Sequence, residues 1–300
     1  MVGASGFVGS AVCKAVSERG HSVQQVRAPR LKHRSDTIPI TELAAIQAAV
    51  AGSFALVNCA GVPDASGGDL SQLIPANATL PRLLAEVAST AGVRFIHVSS
   101  AAVQGRVPIL DARTDTSPFS PYSHSKADGE RAALSYPETI VYRPPGVHGA
   151  DREVTKRLIK FAKSRLASVA KPGSANTAQA LLDNVADAIA FLATTDASPP
   201  SIVSHPSEGL TVQSLLEDLG GKSPLRLPRW FARTIVGCAF HLACVRPGFA
   251  GIARRLEILW FGQEQAPSWL TAAGWTPPIA RMGWREVAEI YRTQDKLENR

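Results

Sequence analysis

The chain is poor in cysteine. Four stand among 300 residues, Cys13, Cys59, Cys238 and Cys244, and no two form a CxxC pair. A disulfide framework and a CxxC zinc site are thereby excluded, and buried thiols are the expectation. Aromatic residues make up 6% of the chain, too few and too scattered to stack the bases of a nucleic acid. The longest apolar run, Thr234 to Val245, has twelve residues and includes His241, against the roughly 18 to 20 that a bilayer-spanning helix needs. The opening MVGASGFVGS has no basic region ahead of an apolar core. No secretory leader is read there, and the cytoplasm is the expected location. Internal repeats and low-complexity tracts are also missing.

What is present is a globular composition, 45% hydrophobic and 19% charged. The net charge of +7 points to anionic partners, but the basic residues are dispersed, which favours a phosphorylated small molecule over nucleic acid. All five tryptophans fall after residue 229, and their expected role is packing.

Residues 7 to 150 alternate short β-branched runs with helical patterns, the signature of βαβ units and a parallel sheet. Strands are expected at Ser22–Val26, Phe54–Cys59, Val93–Ser99 and Thr139–Arg143. Helices are expected at Phe7–Arg19, Glu42–Val50, Leu70–Thr90 and Pro121–Leu134. Right-handed crossovers then place helices on both faces, a doubly wound fold. Beyond residue 150 come a basic helix at Glu153–Leu166, a Gly/Ser/Asn loop and a helix at Asp183–Thr194, for which Asp183 is the expected N-cap.

Gly3, Gly6 and Gly9 form GxxGxxG directly before an apolar-periodic helix. Glycines let a pyrophosphate approach the backbone, and the unpaired amides of the helix start attract its charge. Only Met1 and Val2 precede this turn, so the first, central strand is expected to be largely missing, with the coding sequence continuing upstream. At the end of the second strand stands Arg27, with Arg30 close behind. A carboxylate at that place would take the ribose hydroxyl of NAD, whereas an arginine accommodates the 2′-phosphate of NADP.

Tyr122 and Lys126 lie at i and i+4 in PYSHSKADGE and so share a helix face. A phenol with a pKa of roughly 10 is a poor acid or base at neutral pH, but an adjacent ammonium lowers it. Ser100 ends the strand VRFIHVSS, where ligands gather in parallel sheets. Ser100, Tyr122 and Lys126 are therefore the candidate catalytic set. His97, His124 and His148 border these motifs and are read as structural.

GASGFVG, VNCAG, VSSAAVQG, PYSHSK and YRPPGVHG, in this order and spacing, resemble the extended short-chain dehydrogenase/reductase family of NAD-dependent epimerase/dehydratase type. LLDNVADAI is similar to its late helix. The resemblance implies a Rossmann sheet, residues 1–150 with about 181–205, and a smaller, mostly helical substrate domain, 151–180 with 206–300. It implies that Ser100 hydrogen-bonds the substrate oxygen, Tyr122 exchanges its proton, and Lys126 holds the nicotinamide ribose. It places Gly3, Gly6, Phe7, Val8 and Gly9 around the pyrophosphate of NADP or NAD, Cys59 and Ala60 along the cofactor, and Pro144 to Val147 near the nicotinamide. Asn77 matches a structural and relay asparagine, although Pro81 stands where a threonine is common. Gln104 replaces a frequent tyrosine.

Family members mostly act on nucleotide-linked sugars, so a UDP-sugar 4-epimerase or a 4-keto-sugar reductase is expected, with Arg157, Lys160 or Arg226 on the substrate diphosphate. The QVRAPR and GWTPPIARMGWREV segments resemble a bacterial subgroup that reduces UDP-4-keto-sugars for polysaccharide synthesis. The alternatives are a 3-hydroxysteroid-type dehydrogenase, for which the apolar 234–245 stretch speaks, and a cofactor-binding regulator without turnover. A homodimer is an expectation by analogy.

Overall fold

The computed structural model describes residues 1–63, 70–246 and 249–298. Its centre is a parallel sheet of β1 (Ala55–Asn58), β2 (Arg94–Val98), β4 (Thr139–Arg143) and β8 (Ile202–Ser204), in that spatial order. Of the first strand the chain supplies Met1 and Val2. Val2 bridges Val26 on one side and Asn58 on the other, with Val2 N–H donating to the Val57 carbonyl at 2.9 Å and Val26 N–H to the Met1 carbonyl at 2.9 Å. The Ser22–Val26 strand expected from its β-branched run is reduced to that one bridge at Val26. A strand extends only as far as its neighbour offers partners, and here the neighbour is two residues long.

Side chains alternate across the sheet. Val57, Ile96, Ile140 and Tyr142 face α1 (Phe7–Glu18) and α7 (Leu182–Thr194). Leu56 and Phe95 face α2 (Ile40–Val50) and α4 (Leu80–Thr90). Helices thus cover both faces, as the βαβ alternation requires.

The helix expected over residues 70 to 90 is broken into α3 (Leu70–Ile74), a π turn at Pro75–Thr79 and α4. Proline explains the break. Pro81 has no N–H for the Asn77 carbonyl four residues back, and Leu80 N–H reaches five residues back to Pro75. The Asn77 carbonyl is left facing Gly129 of α5 (Pro121–Ala133), where an added Cβ would sit 2.0 Å from it.

Beyond the sheet, α6 (Glu153–Lys163), α8 (Val212–Gly220) and α12 (Gly283–Glu298) share a core around Ile159, Leu216 and Trp284. Three parallel two-stranded pairs complete this part: β3 (Ile109–Leu110) with β10 (Glu264–Gln265), β5 (Gly146–His148) with β7 (Gln179–Leu181), and β6 (Ser168–Ala170) with β9 (Leu225–Leu227). Helices α9 (Arg229–Val245) and α10 (Ala250–Phe261) pack around Trp260, and the short α11 (Trp269–Ala272) follows. No helix among the described residues is long and apolar enough to cross a membrane.

Three expectations need correction. Asp183 is exposed in the first turn of α7, whose N-cap is Leu181, so it serves the helix dipole rather than capping. Cys238 and Cys244 are exposed and Cys13 and Cys59 only half-buried. Trp230 is 70% exposed, unlike the buried Trp260, Trp275 and Trp284. Cys238, Cys244 and Trp230 all stand on α9, whose packed side is formed by Ala232, Ile235, Val236 and Phe240 instead.

His97 and His148 are buried, as their structural reading requires. His148 Nε2 meets Gln179 Oε1 at 2.8 Å and its Nδ1 meets Thr155 Oγ1 at 3.1 Å. Burial lowers His148 to about 4 and His97 well below its ordinary 6.5. The unfolded chain therefore binds protons between pH 6.5 and about 4 that the folded chain refuses. Stability is fully present above pH 6.5 and falls as pH drops through that window, at up to about 1.4 kcal/mol per pH unit for each histidine. Urea midpoints measured across the window are expected to decline, and His148→Gln to decline less steeply. An unchanged slope in the variant contradicts the assignment.

Candidate active site

The site lies where the strands of the sheet end, and its foundations are local. Ser120 accepts from Ser123 N–H at 3.2 Å, and the Ser123 hydroxyl in turn accepts from Ser120 N–H at 2.9 Å. This capping box, with Pro121 at the first helical position, fixes where α5 begins. Tyr122 and Lys126 consequently stand one turn apart at the start of the helix.

Lys126 is buried, and its ammonium donates to the Val98 carbonyl at 3.0 Å. Val98 ends β2, two residues before Ser100, so the Lys126 ammonium is anchored at the strand terminus that leads into Ser100. Burial pushes Lys126 down to about 8, opposed by Glu130. Ser100 caps the turn Ala101–Gln104 by accepting from Ala102 N–H at 3.2 Å.

The glycine turn reaches the same place. Gly3 has φ +82°, and a Cβ there would lie 2.5 Å from Ala60 N. A Cβ on Gly9 would lie 2.0 Å from the Gly3 carbonyl oxygen. Both positions therefore require glycine. Gly61, next along, would place a Cβ 3.2 Å from Lys126 Nζ and 2.9 Å from Asn77 Oδ1. Contact thus runs from Gly3 through Ala60 and Gly61 to Lys126. Gly6 is the N-cap of α1, with no side-chain cap and no acidic residue in the first turn. Such a helix start, set in a cradle that side chains would fill, suits a diphosphate.

Asn77 ties the surrounding segments. Its Oδ1 accepts from Val62 N–H at 2.9 Å, and its Nδ2 donates to the Val62 carbonyl at 3.1 Å and to Ser125 Oγ at 3.0 Å. Cys59 lies beside this junction, and burial pushes its thiol up to about 12. It is therefore a neutral wall. Ala101 N–H donates to the Pro144 carbonyl at 2.9 Å, which joins the Ser100 segment to the buried Pro144 and Val147. Arg27 is exposed directly after the Val26 bridge, at the end of the second strand.

Three features were not foreseen. The Arg152 guanidinium lies 5.2 Å over the Phe7 ring, donates to the Val147 carbonyl and interacts electrostatically with Tyr122. It links the glycine-turn helix to the tyrosine. Arg143 and Glu130 form a buried ion pair, 1% and 3% exposed, with Nη2 2.6 Å from Oε2. It clamps α5 to β4. Asn58 Nδ2 lies 3.3 Å from His97 Nδ1 while its Oδ1 accepts from Ala60 N–H at 3.0 Å. A sequence signal existed for Arg143 alone, as a charge inside an apolar strand that had to find a partner.

Other expected residues stand apart. Arg157 and Lys160 are exposed on α6 and Arg226 on β9. Gln104 is occupied locally, donating to Asp111 Oδ1 at 2.8 Å and accepting from Asp111 N–H at 3.0 Å. His124 is exposed, off the Tyr122–Lys126 face.

Solved structures similar to this fold include UDP-glucuronic acid 4-epimerase from Bacillus cereus in complex with NAD, 16% identical, TM-score 0.65, covering 98% of this chain and 95% of that one. Another is dTDP-4-dehydrorhamnose reductase from Bacillus anthracis with NADP, 14% identical, TM-score 0.65, covering 98% and 96%. A third is UDP-glucose 4-epimerase from Thermus thermophilus with NAD, 19% identical, TM-score 0.61, covering 97% of each chain. No curated protein sequence matches. The description of the matching family model, NAD dependent epimerase/dehydratase, covers residues 1–204, the stretch that holds the glycine turn, Ser100, Tyr122 and Lys126. With that match spanning two thirds of its length, the chain belongs to the NAD dependent epimerase/dehydratase family of enzymes.

Proposed function

We propose that this enzyme transfers hydride at a carbon–oxygen centre of a nucleotide-linked sugar, as a 4-keto-sugar reductase, with 4-epimerisation as the second reading. The observation that carries it is the buried Lys126 ammonium beneath the end of β2, one helical turn from Tyr122 and beside the segment that packs on the glycine turn. The sugar class is supported by the neighbours, whose substrates are sugars linked to UDP or dTDP.

In this reading Gly3, Gly6, Phe7, Val8 and Gly9 hold the cofactor diphosphate, Cys59 and Ala60 line its path, and Pro144 and Val147 close the nicotinamide end. Arg27 meets the adenosine ribose and favours a 2′-phosphate, hence NADP over NAD and net reduction over epimerisation. The bound dinucleotide supplies the hydride, or accepts it in the oxidative direction. Ser100 donates a hydrogen bond to the substrate oxygen. Tyr122 gives that oxygen its phenolic proton as the carbonyl becomes a hydroxyl, and recovers a proton from solvent afterwards. Lys126 orients the ribose and favours the phenolate electrostatically. Residues 1–150 with 181–205 form the cofactor unit. The substrate diphosphate falls to the remainder, where Arg157, Lys160 and Arg226 are exposed.

The cradle can be tested alone. Gly9→Ala forces the turn open, because the new Cβ would overlap the Gly3 carbonyl. Losing one charge-assisted hydrogen bond, about 1.5 to 3 kcal/mol, weakens NADPH binding about tenfold or more. Calorimetric titration checks it, and unchanged affinity would move the dinucleotide elsewhere.

For the activity, the full chain is incubated with NADPH and a UDP-4-keto-hexose, and in parallel with a 3-ketosteroid. Oxidation of NADPH with the sugar nucleotide is expected. Turnover with the steroid alone would replace this reading by a hydrophobic-alcohol dehydrogenase, and tight NADPH binding without turnover on either by a regulator.

A further inference from the structure

Helix α9 carries large apolar residues on its solvent side as well as on its packed side. Its packed side consists of Ala232 and Val236, buried, with Ile235, Ala239, Phe240 and Ala243 half-buried. On its solvent side, Trp230 is 70% exposed, Phe231 42%, Leu242 46% and Val245 79%. At 3.6 residues per turn these four and Cys238 fall within one arc of about 120°, which also holds the exposed Thr234 and His241 but no Lys, Arg, Asp or Glu. On the neighbouring α10, Ile252 is also 57% exposed.

Basic residues predominate around the helix. Residues 222 to 246 include Lys222, Arg226, Arg229, Arg233 and Arg246 and no Asp or Glu. Arg229 and Arg233 line a recess of about 440 Å³ floored by Val236, Phe240 and Phe261. The third arginine there, Arg106, is already neutralised by Glu257 at 2.6 Å. Arg229 only stacks over Phe261, 5.3 Å from its ring centre.

We propose that α9 lays the protein onto the surface of a bilayer rich in anionic phospholipid. Trp230 and Phe231 enter the headgroup layer, while Arg229 and Arg233 meet lipid phosphates. An exposed apolar arc ending in tryptophan and bordered by arginines is what an interfacial helix presents. Because no described helix can cross a membrane, α9 lies in the plane of the interface. A second copy is a poorer occupant, since apposed α9 faces would set two basic flanks against each other. The inference does not depend on the catalytic reading.

Flotation of the full chain tests it, with vesicles of phosphatidylglycerol and phosphatidylcholine against phosphatidylcholine alone. The protein is expected to rise with the anionic vesicles and to be released by high salt. Arg229→Gln with Arg233→Gln lowers the partition coefficient roughly 30-fold. Trp230→Ser with Phe231→Ser removes most of the bound fraction without altering the melting temperature, because both side chains project into solvent. The blue shift of tryptophan fluorescence on adding vesicles vanishes in Trp230→Phe. Failure to float with anionic vesicles at low ionic strength overturns the proposal, as does a doubly substituted protein that binds like the parent. A dimer that Trp230→Ser with Phe231→Ser dissociates, with no vesicle binding in the parent, reassigns the face to self-association.

Discussion

Tyr122→Phe is expected to lower the turnover number about 10²- to 10⁴-fold, the contribution of one positioned acid or base, while the dissociation constant for NADPH stays within a few-fold. The separation follows from what each group touches. In the proposed reading the dinucleotide is held by backbone at Gly3, Gly6 and Gly9 and by Lys126, none of which the substitution removes. The helix keeps its capping box at Ser120 and Ser123, so the aromatic ring stays in place and only the hydroxyl is lost. Single-turnover kinetics with saturating cofactor read the effect. A variant as fast as its parent would mean that the proton comes from elsewhere.

Breaking the Arg143–Glu130 pair is expected to cost about 3 to 5 kcal/mol of folding free energy, because either partner alone leaves a charge buried without its counter-ion. Glu130→Gln is the cleaner test. Arg143 would keep its hydrogen bond to the Arg113 carbonyl at 2.7 Å but lose the carboxylate that neutralises it. The double change Glu130→Leu with Arg143→Met is expected to recover most of the loss, since an apolar pair of similar volume carries no desolvation penalty. Urea unfolding of the three proteins measures this. A single variant within about 0.5 kcal/mol of the parent would show that water reaches the pair. Activity should fall with the single change as well, because this clamp holds α5, and hence Tyr122, against the end of β4.

The fold was legible wherever pairing and packing agreed with local pattern. Thr139–Arg143 is a strand with the expected bounds because both of its edges are paired, by β2 and β8. Ser22–Val26 has a strand's residues but lacks a neighbour long enough to pair with. The helix over 70–90 was legible as helix, whereas its π turn follows from two prolines and the close approach of Gly129, which no periodicity reports. On α9 large apolar residues stand on both sides, with Val236, Ile235 and Phe240 packed inward and Trp230 and Cys238 in solvent, so hydrophobicity alone does not tell which of them are buried.

Ser100, Tyr122 and Lys126 are proposed from sequence because their chemistry needs those residue types at fixed spacing. The Lys126 ammonium reaches the Val98 carbonyl at the end of β2, two residues before Ser100. Arg152 was hidden, because its role arises from stacking on Phe7, 145 positions earlier in the chain. Glu130 was hidden likewise, as a charged residue in a helix ordinarily reads as solvent-facing.

The central claim is that a hydride passes to a sugar carbon as Tyr122 protonates its oxygen. NADPH carrying deuterium at the transferred position, mixed with a UDP-4-keto-hexose and the enzyme, tests this by mass spectrometry of the sugar. One deuterium on the former carbonyl carbon is expected with the parent, and almost none in the same time with Tyr122→Phe. A reduced sugar without the label, or equal labelling by both proteins, would contradict the account.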